Sequence, residues 1–216
     1  VFFMTAIELK EKTECYLLAL GIPINLGLPP IEEQDDFIFR TAEEIAGRTI
    51  ILAYLGVYSE GHDSQEIIDF FKSEDLWNSV SEHEKELLLK NKLTKQDRIN
   101  LSWRSEGMYL LLWVIRKIDQ LVLPTKQCDI GNMLDLLPGF LTSPKEFISN
   151  ASIRSNKELL DHSDLIYRLH WATREAQLKG EKKPADLEEE IIQEWHYAIN
   201  WLTYYDDDWD DIPTDT

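Results

Sequence analysis

The residues in this chain whose types and spacing could do chemistry lie on three stretches with helical apolar spacing. In RINLSWRSEGMYLLLWVIRKIDQ, residues 98–120, Arg104 and Glu106 sit inside an otherwise apolar wrap. Two residues apart, at roughly 100° per residue, they point about 200° away from each other. They cannot pair together, so each needs a partner from a different neighbouring helix. A lone buried charge is very costly, which makes those partners close to obligatory. On 156–179, Asp161, Asp164, Arg168 and Glu175 form a narrow polar stripe between two apolar lobes. Asp164 and Arg168 are four apart with the acid first, the favourable order for a helix pair. The stripe offers Asp161, Asp164 or Glu175 to Arg104, while Arg48 and Arg154 are the candidate bases for Glu106. The last amphipathic stretch adds Glu194, His196 and Asn200 around the apolar stripe Ile191, Trp195, Ala198, Ile199 and Leu202.

The candidate polar cluster is therefore Arg104, Glu106, Asp161, Asp164, Arg168, His170, Arg174, Glu194 and Asn200. Two uses fit it. The residues are satisfied ion pairs that fix helix register, or they line a pocket. In the pocket reading Arg104, Arg168 and Arg174 clamp a small anionic ligand, since guanidinium grips carboxylate or phosphate at two points. Asp161, Asp164 or Glu106 then serves as acid or base with a pKa raised by burial. No catalytic residue is assigned by the pattern itself.

Other chemistries find little support. His170 falls on the more solvent-facing side of its helix, and His170 and His196 read as exposed or core-edge histidines. His162 and His170 are eight apart, not the three or four that put two ligands on one helix face, so no metal site is expected. Asp206, Asp208 and Asp210 imitate the start of a calcium loop. Asp211 stands where that loop turns on glycine, however, and no closing glutamate follows. Cys128 opens a helix without a nearby histidine and reads as a small buried residue, not a nucleophile. No glycine-rich phosphate loop, GxSxG elbow or HExxH is present, and no cofactor is expected.

The elements that must position these residues are helices throughout. Capping boxes at Thr41/Glu44, Ser81/Glu84 and Ser155/Glu158 start three of them. Others are expected over about 5–20, from Ser64, from about 94 to before Pro124, from Cys128-Asp129, from Ser143-Pro144 and over about 187–204. The predicted fold is all-α: a single-domain multi-helix bundle around a buried central helix (about 95–120). Residues 1–39 are read as an N-terminal helix with an extended connection. Residues 205–216 form an acidic tail that either folds back on Trp209 or stays solvated.

Size and charge narrow the function classes. At 216 residues and 44% apolar composition the chain can bury one substantial core. Its net charge of −18 opposes nucleic-acid phosphates and anionic membranes. Its longest apolar run, Met108 to Ile115, is far short of a membrane span. The separated Cys15 and Cys128, with no signal-peptide core, predict reduced thiols and a cytoplasmic location.

The blocks LALGIPIN, LPPIE, FRTAEEIAGR, NLSWRSEGMYLLLWVI, LLDHSDLIYRLHWATREAQLKG, EWHYAINWL and DWDDIPTDT, in this order, resemble the bacterial domain-of-unknown-function family 4272. The resemblance spans about Leu18 to Thr216. It implies a helical bacterial protein and supplies no activity. It does imply where polar and aromatic residues are kept: Arg40, Glu44 and Arg48; Trp103, Arg104 and Glu106; Asp161, Asp164, Tyr167, Arg168, His170, Trp171 and Arg174; Glu194, Asn200 and Trp201; Trp209, Asp210, Asp215 and Thr216. This chain departs from the pattern at Trp195, where the family often carries arginine, and at Gly107, where it tends to carry alanine. The expected function is a non-enzymatic acidic binding protein with a basic protein partner, immunity-like or regulatory. The alternative is an enzyme acting on a small anionic substrate; no nucleic-acid or membrane partner is expected.

Overall fold

The structure, a computed structural model, describes residues 4–31, 38–90 and 92–216. The described residues form helices joined by turns, with no strand among them. In chain order the helices are α1 (Ala6–Ala19), α2 (Ala42–Ser59), α3 (Ser64–Ser73), α4 (Glu82–Leu88), α5 (Lys95–Val114), α6 (Ile130–Leu134), α7 (Lys145–Ser149), α8 (Asn156–Lys179) and α9 (Glu189–Leu202). The all-α expectation is met. The acidic part of the long connection after α1 lies outside the described residues.

Local sequence starts most of the helices. All three expected capping boxes form, and Thr5/Glu8 and Thr94/Asp97 make two more. Asp63, not Ser64, caps α3: its carboxylate accepts from the amides of Gln65 and Glu66. Pro144 occupies the cap of α7 and not its first helical position. Gly180 ends α8 in the left-handed conformation that suits glycine.

α5 is the middle of the molecule. It packs most extensively on α2 to one side and α9 to the other; α9 then packs on α8, and α1 covers α8. Leu110 to Ile115 are all buried, as a helix enclosed by neighbours requires. The helix ends at Val114, earlier than the expected 120. Arg116 turns the chain with φ 62°, and its amide and that of Lys117 donate back to Trp113 and Leu112 at 3.0 and 2.8 Å. Arg154 completes the stop. Its Nε and Nη2 donate to the carbonyls of Trp113 and Ile118 at 2.7 and 2.6 Å, placing positive charge at the helix C-terminus.

The tail does not stay in solvent. Trp209 is buried edge-on against Tyr197 and Trp201, with ring centroids 5.2 and 5.3 Å away. Arg40 donates to the carbonyls of Asp206 and Asp207, not to their carboxylates. Asp210 accepts from Ser81 Oγ and the His83 amide at 2.6 and 2.9 Å, so the tail adds a second cap to α4. No helix among the described residues is long and apolar enough to cross a membrane.

Gly107 lies where α5 meets α9. A methyl group there would sit 3.7 Å from the Ala198 Cβ and 3.8 Å from the Glu194 carbonyl, ordinary contact distances. Gly107→Ala should therefore stabilise the protein by about 0.5–1 kcal/mol through helix propensity. Urea denaturation tests this, and a loss of stability would show that the interface has no room for the methyl.

Candidate functional site

The polar residues singled out above occupy four separate places. On α8, Arg168 grips Asp164 at two points: Nε to Oδ2 at 3.0 Å and Nη2 to Oδ1 at 2.8 Å. Its Nη1 reaches Glu14 of α1 at 3.5 Å and Nη2 also donates to the Pro29 carbonyl. All three side chains are buried. Asp161 instead accepts from Lys12 of α1 and Lys157, both at 2.8 Å. Partial burial pushes its pKa up, and the two ammonium groups more than reverse this, holding it below the ordinary value. The stripe is thus the seat of α1, and Arg104 does not reach it.

Arg104 pairs with Glu194 of α9 at 3.0 Å and lies over the Tyr197 ring at 4.4 Å, a partner outside the Asp161, Asp164 and Glu175 set that was expected. α5 presents this face to α9, and α8 lies beyond α9. The pair is only part-buried. Burial still raises the Glu194 pKa by more than Arg104 lowers it.

Glu106 finds no base among the described residues. It is buried, and its Oε1 accepts from the Cys128 amide at 2.8 Å. Arg48, expected as a partner, is committed to Glu84 at 2.8 Å, and Arg154 to Glu158 and the end of α5. Burial raises the Glu106 pKa, and the Cys128 amide offsets only part of this. The indole of Trp195 also faces the carboxyl, yet its buried N–H lacks hydrogen-bond geometry to it. Glu106 lies on the wall of a mainly apolar cavity of about 490 Å³ with Tyr109, Trp195, Leu123 and Cys128. Burial and the adjacent carboxyl push the Cys128 thiol up to about 12, leaving it protonated and a poor nucleophile.

His170 and His196 are both buried, against the expectation that they lie at the surface or core edge. α9 covers that face of α8, and the two imidazoles meet there, Nδ1 to Nδ1 at 2.8 Å. One nitrogen must donate and the other accept. Burial drives their pKa values down to about 4 for His170 and about 3 for His196. His170 Nε2 makes no hydrogen bond and lies 3.8 Å from a Glu189 carboxylate oxygen. His196 borders a second cavity, of about 570 Å³, together with Ser163, Tyr167, Asn200 and Asp215. The sequence reading missed Glu189 beside His170 and Ser163 beside His196 on the cavity wall, and it gave Tyr167, whose ring lies 5.9 Å from that of His196, no place in the cluster. Their signal was spacing: Ser163, Tyr167 and His170 recur at four and three residues along α8.

The domain family described as Domain of unknown function (DUF4272) matches residues 9–212. The chain belongs to this family. No curated protein and no solved structure matches the chain. Of the residues the family pattern keeps polar, Arg40, Arg48, Asp164, Arg168 and Asp210 are all consumed by contacts inside this DUF4272 chain. Arg174 is exposed and makes no hydrogen bond among the described residues. The three arginines of the expected clamp therefore do not converge: Arg104 and Arg168 hold separate internal partners. Among the described residues no group of three or more histidine, cysteine or carboxylate side chains could hold a metal ion.

Two stability measurements separate these roles. Arg168→Met strands the buried Asp164, while Glu14 keeps Lys10 at 3.6 Å, and should cost about 3–5 kcal/mol in urea denaturation. Arg104→Met, at a part-exposed pair, should cost about 1 kcal/mol. For Glu106 the folded pKa is raised, so ionisation is penalised above it and the penalty is relieved as pH falls through it. Glu106→Gln should accordingly raise the melting temperature at pH 8, with the gain vanishing on acidification. A variant less stable than the parent at pH 8 would mean that the carboxylate is stabilised by a charge partner.

Proposed function

We propose that this DUF4272 protein is a non-enzymatic cytoplasmic binding protein that docks a basic protein partner, in the manner of an immunity or regulatory protein. One observation supports it above the others: most of the arginines are spent inside the fold, with Arg116 and Arg174 the exposed ones. Every arginine but Arg174 donates to a group of the chain itself. Arg98 and Arg116 direct their donors to backbone carbonyls, and Arg40 and Arg154 do so as well as pairing with Glu44 and Glu158, which leaves acids elsewhere without a matching base. With 40 acidic against 22 basic residues, the surplus carboxylates face solvent and set up a field that draws cationic partners.

The rival reading, an enzyme acting on a small anionic substrate, has one favourable feature. Glu106 is a buried carboxyl of raised pKa on a cavity wall, which suits acid–base work, and Lys126 borders the same cavity. The guanidinium clamp that the reading also needs is engaged elsewhere. Docking a basic partner accounts for more of the molecule.

The test is affinity capture on the immobilised protein at low salt, followed by calorimetry with the purified partner across a salt series. A basic protein is expected whose affinity falls about ten-fold or more as exposed charges are screened. Retention of no basic protein at low salt, or an affinity indifferent to salt, would remove the proposal.

A further inference from the structure

The larger of these two cavities lies between α8, α9, the Pro29–Pro30 segment and the end of the tail, and several of its polar groups are unspent. Ser163 is buried to 8% exposure and His196 to 3%, yet neither Ser163 Oγ nor His196 Nε2 has a partner among the described residues. Both atoms keep accessible surface, and both residues line the cavity. Asn200 spends its amide nitrogen on the Pro213 carbonyl at 2.8 Å, so its Oδ1 is the free end. Asp215 supplies an exposed carboxylate at the rim, and among the described residues no lysine or arginine lines the space. We propose that this cavity is a binding site for a small organic cation carrying a primary ammonium group. The proposal stands independently of the basic-partner reading, since it concerns a concave site and not the outer surface.

The tautomers of the histidine pair decide what the cavity offers. Arg174 and Glu189 both act on the His170 ring, and the Glu189 carboxylate, 3.8 Å from Nε2, is the nearer charge; it repels a lone pair and attracts an N–H, so it favours the Nε2–H form. His170 Nδ1 must then accept, and His196 Nδ1 must donate across the 2.8 Å contact. That leaves the His196 Nε2 lone pair facing the cavity. Burial keeps both rings neutral near neutral pH, so this arrangement persists there. His196 Nε2, Asn200 Oδ1 and the Asp215 carboxylate are acceptors, and Ser163 Oγ can accept as well. A ligand must therefore bring several N–H donors, and a positive charge is favoured by Asp215 and by the net charge of −18. Tyr167, whose ring lies beside the Arg168 guanidinium, and Tyr205 line the cavity as aromatic neighbours for that cation, and Pro29 and Pro30 provide apolar wall for an organic body. A volume of about 570 Å³ falls in the range of small-molecule sites.

The experiment is calorimetric titration of the full chain with tyramine, phenethylamine and putrescine. Tyrosol, the neutral isostere of tyramine, and para-hydroxyphenylacetate, its anionic counterpart, serve as controls. At least one amine should bind at a single site, tyrosol should bind about ten-fold more weakly than tyramine, and the anion should not bind. Asp215→Asn, an exposed change that leaves the core intact, should weaken the amine by about ten-fold. Nitrogen NMR of the imidazoles should show His196 protonated at Nδ1 and His170 at Nε2. Binding of none of the three amines overturns the proposal. So does equal affinity for tyramine and tyrosol, unchanged affinity in Asp215→Asn, or a His196 protonated at Nε2.

Discussion

A helix enclosed between two others has no water to satisfy its polar groups, and α5 is placed in this way between α2 and α9. Much of the architecture follows from how that requirement is met. Arg104 escapes to a part-exposed edge, where Glu194 and the Tyr197 ring receive it. Glu106 stays buried and is served by a backbone amide, a weaker remedy than a cation, and its pKa rises accordingly. The apolar remainder, Leu110 to Ile115, makes the core that the other helices share.

The end of a helix poses the same problem in its carbonyls, and here distant arginines solve it repeatedly. Arg98 on α5 donates to Ser59 at the end of α2, Arg154 to Trp113 at the end of α5 and to Ile118 in the turn after it, and Arg40 to Trp201 near the end of α9. A guanidinium suits this task because its fork reaches several carbonyls at once while its charge complements the helix dipole. Each such contact ties two parts of the chain together. Together they also withdraw positive charge from the surface, so the acid surplus remains outside.

The α8–α9 interface handles its polar groups differently. Asp164 and Arg168 are closed on each other and on Glu14, which fixes α1 against the bundle. The two histidines are closed on each other at Nδ1 and open at His196 Nε2. One side of α8 is therefore a satisfied structural joint, and the neighbouring side presents unfilled acceptors to a cavity. Two turns of one helix carry both outcomes.

Much of this was legible in the chain itself. Helix starts are written within four residues, because a threonine or serine and the carboxylate three positions on satisfy the first free amides wherever the segment lies. The enclosure of α5 and the Asp164–Arg168 pair were legible for the same reason: both follow from positions along one helix. The partner of Arg104, the isolation of Glu106, the stop at Val114 and the meeting of His170 with His196 were not. Each depends on which helix lies alongside and at what height. The stop at Val114 comes from Arg154, far along the chain, where no glycine or proline marks it. Periodicity tells which way a side chain points along its own helix axis; only packing decides what it points at.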